Sequence, residues 1–224
     1  MKRRIHTLAA SLFAVALLAA PASAAPKPGM TVTTSGLNAY AELSLEVAEG
    51  WMGLWLHGAA DTQTRVKTPG SQPERFTDDM SMIGLSWGTA TGGVEVTCMT
   101  GEGFEMKHLD SASMEVTDCL ADRIEWVCDE QGCNPTFGTV LLSADVTWTG
   151  SGDVHRYRVS GKASTSGYWE SWRTSGTQRE ATVTGWVVVG SDTYMLDAGE
   201  SHAALIDAKD WNSQRGDFPF EPEP

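Results

Sequence analysis

The sequence predicts an all-β protein, built as an antiparallel β-sandwich or, as the alternative, a β-barrel. Apolar and polar residues alternate with a period of two over much of the chain, as they do in half-buried strands. Turn residues recur about every 8–12 residues, and no long stretch shows the helical period. Hydrophobic residues make up 41% of the chain and charged residues 20%, a composition typical of a globular protein.

The clearest predicted strands are Ala41–Val47 and Val140–Thr149, in which every second residue is apolar. Shorter runs of the same kind predict further strands at 51–57, 80–87, 94–98, 114–117, 124–128, 154–160, 180–189, 191–196 and 202–206. The turn residues Gly150 to Asp153 predict a hairpin between two of these strands. Residues 61–79 and 161–178 are polar and are predicted as loops.

A faint internal repeat indicates two related halves. Residues 86–94 read SWGTATGGV, and residues 147–154 read TWTGSGDV. Both are interpreted as a strand with tryptophan, a glycine-rich turn and a returning strand. Hairpins with glycine turns also resemble one another for generic reasons, so the sequence leaves both explanations open.

The two ends of the chain differ from its middle. Residues 1–24 read as a secretory signal peptide, because Lys2, Arg3 and Arg4 precede an apolar run and a small-residue cleavage pattern, Ala-Ser-Ala. Residues 25–36 are predicted as a linker, 37–216 as a single β domain, and 217–224 as a flexible acidic, Pro-rich tail. We therefore expect a secreted protein of the cell envelope or the extracellular space, without a membrane span.

The charge balance limits the class of partner. The formal net charge is −13, and removal of the signal peptide makes it more negative. Such a surface repels nucleic acid and anionic membranes. The expected partner is an unknown extracellular ligand, a carbohydrate or a protein, and no nucleic acid.

All cysteines lie close together in the chain, at Cys98, Cys119, Cys128 and Cys133. An even number in an exported chain favours two disulfides. Cys128 and Cys133 bracket a short loop, so we pair them with each other and Cys98 with Cys119. The spacings do not match the short knuckles of a zinc site, which is the alternative.

Part of the chain resembles a group of exported bacterial β-rich proteins. The resemblance covers about a quarter of the chain and rests on a W-T-G-x-G turn, a downstream arginine and a later R-x-A-x-x-x-G strand. The matching residues are Trp148, Thr149, Gly150, Gly152, Arg156, Arg179, Ala181 and Gly185. The resemblance implies an all-β exported fold and no activity, and the cysteines are not part of it.

The common catalytic signatures are absent. The sequence contains no H-E-x-x-H helix, P-loop, EF-hand loop or G-x-G-x-x-G motif. Outside the predicted signal peptide there are four histidines, His57, His108, His155 and His202, and they lie far apart without ligand spacing. Carboxylates are plentiful, but sequence does not measure the separation that a glycosidase pair requires. No catalytic residue, metal site or cofactor is therefore predicted.

The tryptophan content is high, with 9 in the chain. Core packing is the expected role for those in apolar strands, which are Trp51, Trp55, Trp87, Trp126, Trp148 and Trp186. Tyr168, Trp169 and Trp172 instead fall in the polar segment S-T-S-G-Y-W-E-S-W-R, predicted as a loop. Exposed aromatic rings stack on sugars or bury partner side chains. Alternatively, the segment folds back as a cap.

Three functions follow from these observations. The first is a secreted, non-catalytic binding module that uses Tyr168, Trp169 and Trp172. The second is a secreted hydrolase of polysaccharide or peptide. The third is an envelope or matrix structural protein, which predicts exposed strand edges or an apolar patch.

Overall fold

The computed structural model describes residues 29–47, 50–67, 72–89, 91–165, 168–197 and 200–216. These residues form ten strands. In chain order they are β1 Met30–Val47, β2 Gly50–Val66, β3 Glu74–Thr89, β4 Gly92–Thr100, β5 Phe104–Lys107, β6 Ser111–Asp129, β7 Gly132–Thr165, β8 Tyr168–Val189, β9 Asp192–Met195 and β10 Glu200–Gly216. The predicted signal peptide and the predicted tail lie outside the described residues. Within these residues, no helix is long and apolar enough to cross a membrane.

The strands form one antiparallel sheet in the order β10-β1-β2-β3-β4-β6-β7-β8-β9, with β5 paired to β6. The sheet folds over, because β10 pairs with β1 on one side and with β8 on the other. Pairing is uneven around the fold, since β4 and β6 meet only between residues 92–97 and 122–127. The predicted all-β antiparallel sandwich is confirmed, and the sheet does not close into an even barrel.

The core lies between the inward faces of the strands in one part of the molecule, which we call the body. The inward residues are those that the alternation predicts, for example Leu43 on β1 and Val146 on β7. Trp148 is fully buried there, and its indole Nε1 donates a hydrogen bond to the carbonyl oxygen of Tyr40 at 3.1 Å. This bond satisfies the one polar atom of the largest core side chain.

Six strands continue beyond the body as a further stretch of sheet, which we call the extension. It comprises residues 155–165 of β7, 168–178 of β8, 206–216 of β10, 30–38 of β1, 60–66 of β2 and 74–80 of β3, paired in that order. Among its described side chains only Ser213 is buried, with 9% of its surface exposed. The extension therefore has no hydrophobic core of its own, and nearly all of its described side chains are at least partly exposed.

The extension corrects several sequence-based predictions. β1 begins at Met30, so residues 30–36 are strand and not linker. The predicted loops 61–79 and 161–178 lie largely within β2, β3, β7 and β8. The predicted hairpin at Gly150–Asp153 is also wrong, because β7 runs through it with a bulge opposite β8 between Ser151 and His155. The internal repeat therefore matches one hairpin and one continuous strand.

Both predicted disulfides are present. Cys98 of β4 and Cys119 of β6 have an Sγ–Sγ distance of 2.07 Å, and Cys128 and Cys133 have one of 2.04 Å across the β6–β7 turn. The first bond joins neighbouring strands beside the core, and the second closes a hairpin. Two disulfides are compatible with an oxidising environment.

Candidate ligand-binding site

The predicted aromatic residues do not form one platform. They lie at the start of β8, and side chains alternate between the two faces of a strand. Trp169 and Trp172 therefore point to opposite faces of the extension. The backbone of Tyr168 pairs with Thr165, but its side chain lies outside the described residues. The Trp172 ring is 38% exposed and packs against Gly161 of β7.

The face that carries Trp169 is strongly basic. Cross-strand partners in an antiparallel pair point to the same face, so the register assigns each side chain. One row across the extension contains Ser160, Arg173, Trp211, Thr33, Thr64 and Arg75. The rows on either side of it add Arg158, Lys162 and Lys209. We call these three rows the basic face.

The three rows contain no carboxylate. Their remaining positions are Val66 and the hydroxyl residues Thr31, Ser35, Thr62, Thr77, Ser171, Ser175 and Ser213. Asp207 and Asp79 appear only in the following row, towards the body. In a chain with a net charge of −13, this separation of charge creates a local positive potential.

A shallow depression of about 230 Å³ lies on this face at the β7 edge. Arg158, Lys162, Arg173 and Trp211 surround it with their side chains. Trp172 also borders it, and because its ring is on the other face it does so through its backbone. The arrangement offers three cations and one indole to a ligand, and none of its lining residues is acidic.

The opposite face of the extension is acidic. Asp61 of β2 lies over Gly36, and burial together with Asp210, Asp78 and Asp79 raises its pKa from 3.8 to about 6. Burial, and the charges of Asp210 and Asp207, also raise the pKa of the Tyr157 hydroxyl above its ordinary value. The register places one cation of the extension on this face, Arg65, against five carboxylates, those of Asp61, Glu74, Asp78, Glu170 and Asp210. The two faces of the extension therefore differ in the sign of their charge, although Asp79 and Asp207 lie beside the cationic rows of the basic face.

Hydrogen bonds stiffen the acidic face along β10. The amide of Asn212 donates to the Glu170 carboxylate at 2.7 Å, and the amide of Gln214 donates to the same oxygen at 3.4 Å. These bonds join β10 to β8 directly behind the basic face. The strand pair that carries Trp211 and Arg173 is therefore held by side chains as well as by the backbone ladder.

Sequence reasoning missed Trp211, Arg158, Lys162 and Lys209. Trp211 is distant from Arg173 in the chain, and only the pairing of β10 with β8 brings the two side by side. The residues around Lys209 and Trp211 show no alternation of apolar and polar types, so the sequence predicts no strand there. A weak signal was present, since Arg158 and Lys162 stand an even number of positions apart on β7 and so share a face.

Among the described residues there is no candidate metal centre, and neither depression is lined by a pair of carboxylates. No group of three or more potential metal-ligating residues is found among the described residues. Burial lowers the pKa of His57. No histidine lines the depression on the basic face or the second depression, which lies on the body. The second depression contains one carboxylate, Glu95, where glycoside hydrolysis requires two.

Comparison of the chain with protein-family models, curated proteins and solved structures finds no match. The resemblance to exported proteins with a W-T-G-x-G turn therefore stays a prediction.

Proposed function

We propose that this protein is an exported, non-catalytic binding module that takes an acidic polysaccharide on its basic face. The observation that carries the proposal is the separation of charge across the extension. Five cationic side chains lie in three neighbouring rows that contain no carboxylate, although the whole chain is acidic. Arg and Lys form charge-assisted hydrogen bonds with carboxylates and sulfates, and these are among the stronger polar contacts.

The rest of the basic face favours a sugar polymer over other anions. Hydroxyl side chains fill most of the positions between the cations, and they both donate and accept hydrogen bonds. The Trp211 indole supplies an apolar surface on which the C–H face of a pyranose ring can stack. Nucleic acid carries a much denser charge, and the acidic remainder of the chain opposes its approach.

Export is supported by two independent features. The N-terminal sequence has the pattern of a secretory signal peptide, and the two disulfides are compatible with an oxidising compartment. Acidic polysaccharides are common in that compartment, in envelopes and extracellular matrices. A structural role in assembly is less well supported, because the β7 edge of the extension carries Arg156, Arg158 and Lys162, and charged edges oppose strand pairing.

The experiment compares two ligands with the same backbone. Tryptophan fluorescence and calorimetry measure binding of polygalacturonate and of its methyl ester, in which the carboxylates are masked. We expect saturable binding of the acid alone, weakened by added salt because the contacts are exposed ion pairs. Arg173→Gln, Lys162→Gln and Trp211→Ala should each weaken it about tenfold, as expected for loss of one charge-assisted bond or one stacking surface.

Arg123→Gln is the matched control, because Arg123 is likewise an exposed cation but lies on the body, paired with Glu125 at 2.9 Å. It should leave the affinity unchanged. Equal binding of the acid and its ester, or equal affinities of Arg173→Gln and Arg123→Gln, would contradict the proposal. Tighter binding of a single-stranded oligonucleotide than of any acidic polysaccharide would contradict the ligand class.

A further inference from the structure

A second aromatic surface lies on the outside of the body, far along the strands from the basic face. Met52, Leu54 and Leu56 of β2 point into the core, so Trp51 points outwards, and it is 65% exposed. Trp126 of β6 is 37% exposed and pairs with Gly93, whose partner on β3 is Gly88. The expectation that Trp51 and Trp126 pack in the core is wrong.

The surface between these two indoles is flat and open. It is a depression of about 280 Å³, bordered by Trp51, Trp87 and Trp126, with Glu95 and Ser86 beside it. Trp87 pairs with the inward-facing Met52 and Val94 and packs against the core, so Trp51 and Trp126 are the outward-facing indoles of this depression. Gly88 and Gly93 form the floor, and a Cβ atom placed on Gly88 would meet no atom within 4 Å. No neighbouring atom therefore requires a glycine at position 88. A larger side chain at this position would project into the depression.

The spacing of the two indoles limits what the surface can hold. Trp51 and Trp126 stand on strands three positions apart in the sheet, which at about 4.8 Å per strand separates their main chains by about 14 Å. A proline-rich peptide needs closely set aromatic ridges with pockets between them, and the floor here has neither. Pyranose rings laid end to end across the strands fit a flat floor with an aromatic ring at each side.

The charge of the surface selects against an acidic ligand. Glu95 is the one charged residue that borders the depression, and no cation lies among the lining residues. A carboxylate accepts hydrogen bonds from sugar hydroxyls but repels uronic acids. The Ser86 hydroxyl adds a donor and an acceptor close to the floor.

We propose that this surface, the tryptophan cleft formed by Trp51, Trp126 and the Gly88–Gly93 floor, is a second binding site that takes an uncharged polysaccharide chain. The site is independent of the basic face, because the two lie on different parts of the fold and share no residue. A protein with both sites would hold a neutral and an acidic polymer at the same time.

The test uses neutral hexasaccharides of β-glucan and β-mannan as probes, with calorimetry and tryptophan fluorescence as readouts. We expect at least one of them to bind the wild-type protein, and Trp51→Ala and Trp126→Ala each to weaken that binding at least tenfold. Gly88→Val should abolish it while leaving both tryptophans in place, because the new side chain occupies the floor. Valine is favoured in strands, so this variant should fold normally.

Gly138→Val is the matched control. Gly138 of β7 also has no atom within 4 Å of an added Cβ, and its register with Arg123 places it on the other face of the sheet from Trp126. It should bind the hexasaccharide like the wild type, and so should Arg173→Gln. That last result distinguishes this site from the basic face.

Three outcomes would overturn the proposal. The first is that no hexasaccharide binds the wild-type protein. The second is that Gly88→Val and Gly138→Val bind equally well. The third is that size-exclusion chromatography shows a wild-type dimer which Trp51→Ala converts to a monomer, because the cleft would then be a contact between two copies of this chain.

Discussion

The Arg179 side chain holds the bulge of β7, because its Nε donates a hydrogen bond to the carbonyl oxygen of Gly152 at 3.1 Å. The same guanidinium donates from Nη1 to Asp110 Oδ1 at 2.9 Å and to the Leu109 carbonyl oxygen at 3.4 Å. Gly152 has a φ of 69°, in the region that glycine adopts without strain. One side chain thus links the bulge to the turn between β5 and β6.

We predict that Arg179→Met lowers the free energy of unfolding by about 1–2 kcal/mol. Methionine keeps the apolar stem but leaves two carbonyl oxygens without their donor. Urea denaturation measures the change. Asp110→Asn is the control, since it removes only an exposed ion pair and should cost less than about 1 kcal/mol. A loss in Asp110→Asn as large as that in Arg179→Met would show that the ion pair, and not the carbonyl contacts, stabilises the bulge.

Trp148→Phe should destabilise the protein by about 2–4 kcal/mol. The change leaves a cavity in the core and removes the donor to the Tyr40 carbonyl oxygen. Thermal and urea unfolding both report it. Trp51→Phe makes the same chemical change at an exposed position, and we expect its stability to stay within about 0.5 kcal/mol of the wild type. Equal losses at the two positions would contradict the burial of Trp148.

Asp61→Asn should stabilise the protein at neutral pH. The folded-state pKa of about 6 lies above the ordinary 3.8, so the ionised carboxyl is disfavoured in the fold. Stability should therefore rise as the pH falls from about 6 towards 4, as the folded protein takes up the proton first. The shift corresponds to about 3 kcal/mol, which solvent screening of this partly exposed group reduces to about 1 kcal/mol.

The measurement is the urea midpoint of both proteins between pH 4 and pH 7. The difference between Asp61→Asn and the wild type should be largest at pH 7 and should vanish near pH 4. A difference that grows as the pH falls would contradict the sign of the pKa shift.

The two disulfides should contribute unequally to stability. Cys98 and Cys119 are separated by 21 residues and Cys128 and Cys133 by 5. Each disulfide lowers the entropy of the unfolded chain, which stabilises the folded protein by about 3 kcal/mol for the longer loop and by about 2 kcal/mol for the shorter one. The double alanine variant of Cys98 and Cys119 should therefore melt at the lower temperature in calorimetry. The reverse order would indicate that strain in the folded state outweighs loop length.

The strands of the body could be predicted from the sequence, because strands that pack one face on a core alternate apolar and polar residues. One face of β1 and one of β7 contact the core, so Leu43, Leu45, Leu142 and Val146 alternate with polar residues. The same period places Trp51 outside, one residue from the buried Met52. The alternation therefore predicts that Trp51 is exposed. The general preference of tryptophan for the protein interior predicts the opposite, and at this position it is wrong.

The extension could not be predicted in the same way. Neither of its faces packs on a hydrophobic core, so its strands carry no alternation of apolar residues, and the segment around Trp172 resembles a loop. The basic face depends on pairing between β7, β8 and β10, which sequence spacing does not reveal. The arginines, lysines, serines and threonines of this face are common surface residues. Only the pairing of the strands shows that the cations lie together without a carboxylate between them.

The continuity of the long strands has a mechanical consequence. β7 extends over 34 residues, from the core into the extension, with one bulge between the two parts. The extension is therefore joined to the packed core by continuous strands and has no hydrophobic core of its own. We therefore expect substitutions that loosen the core to disturb the pairing of the extension, even where they lie far from its surface. A polymer bound there would in turn transmit tension directly into the interior along unbroken backbone.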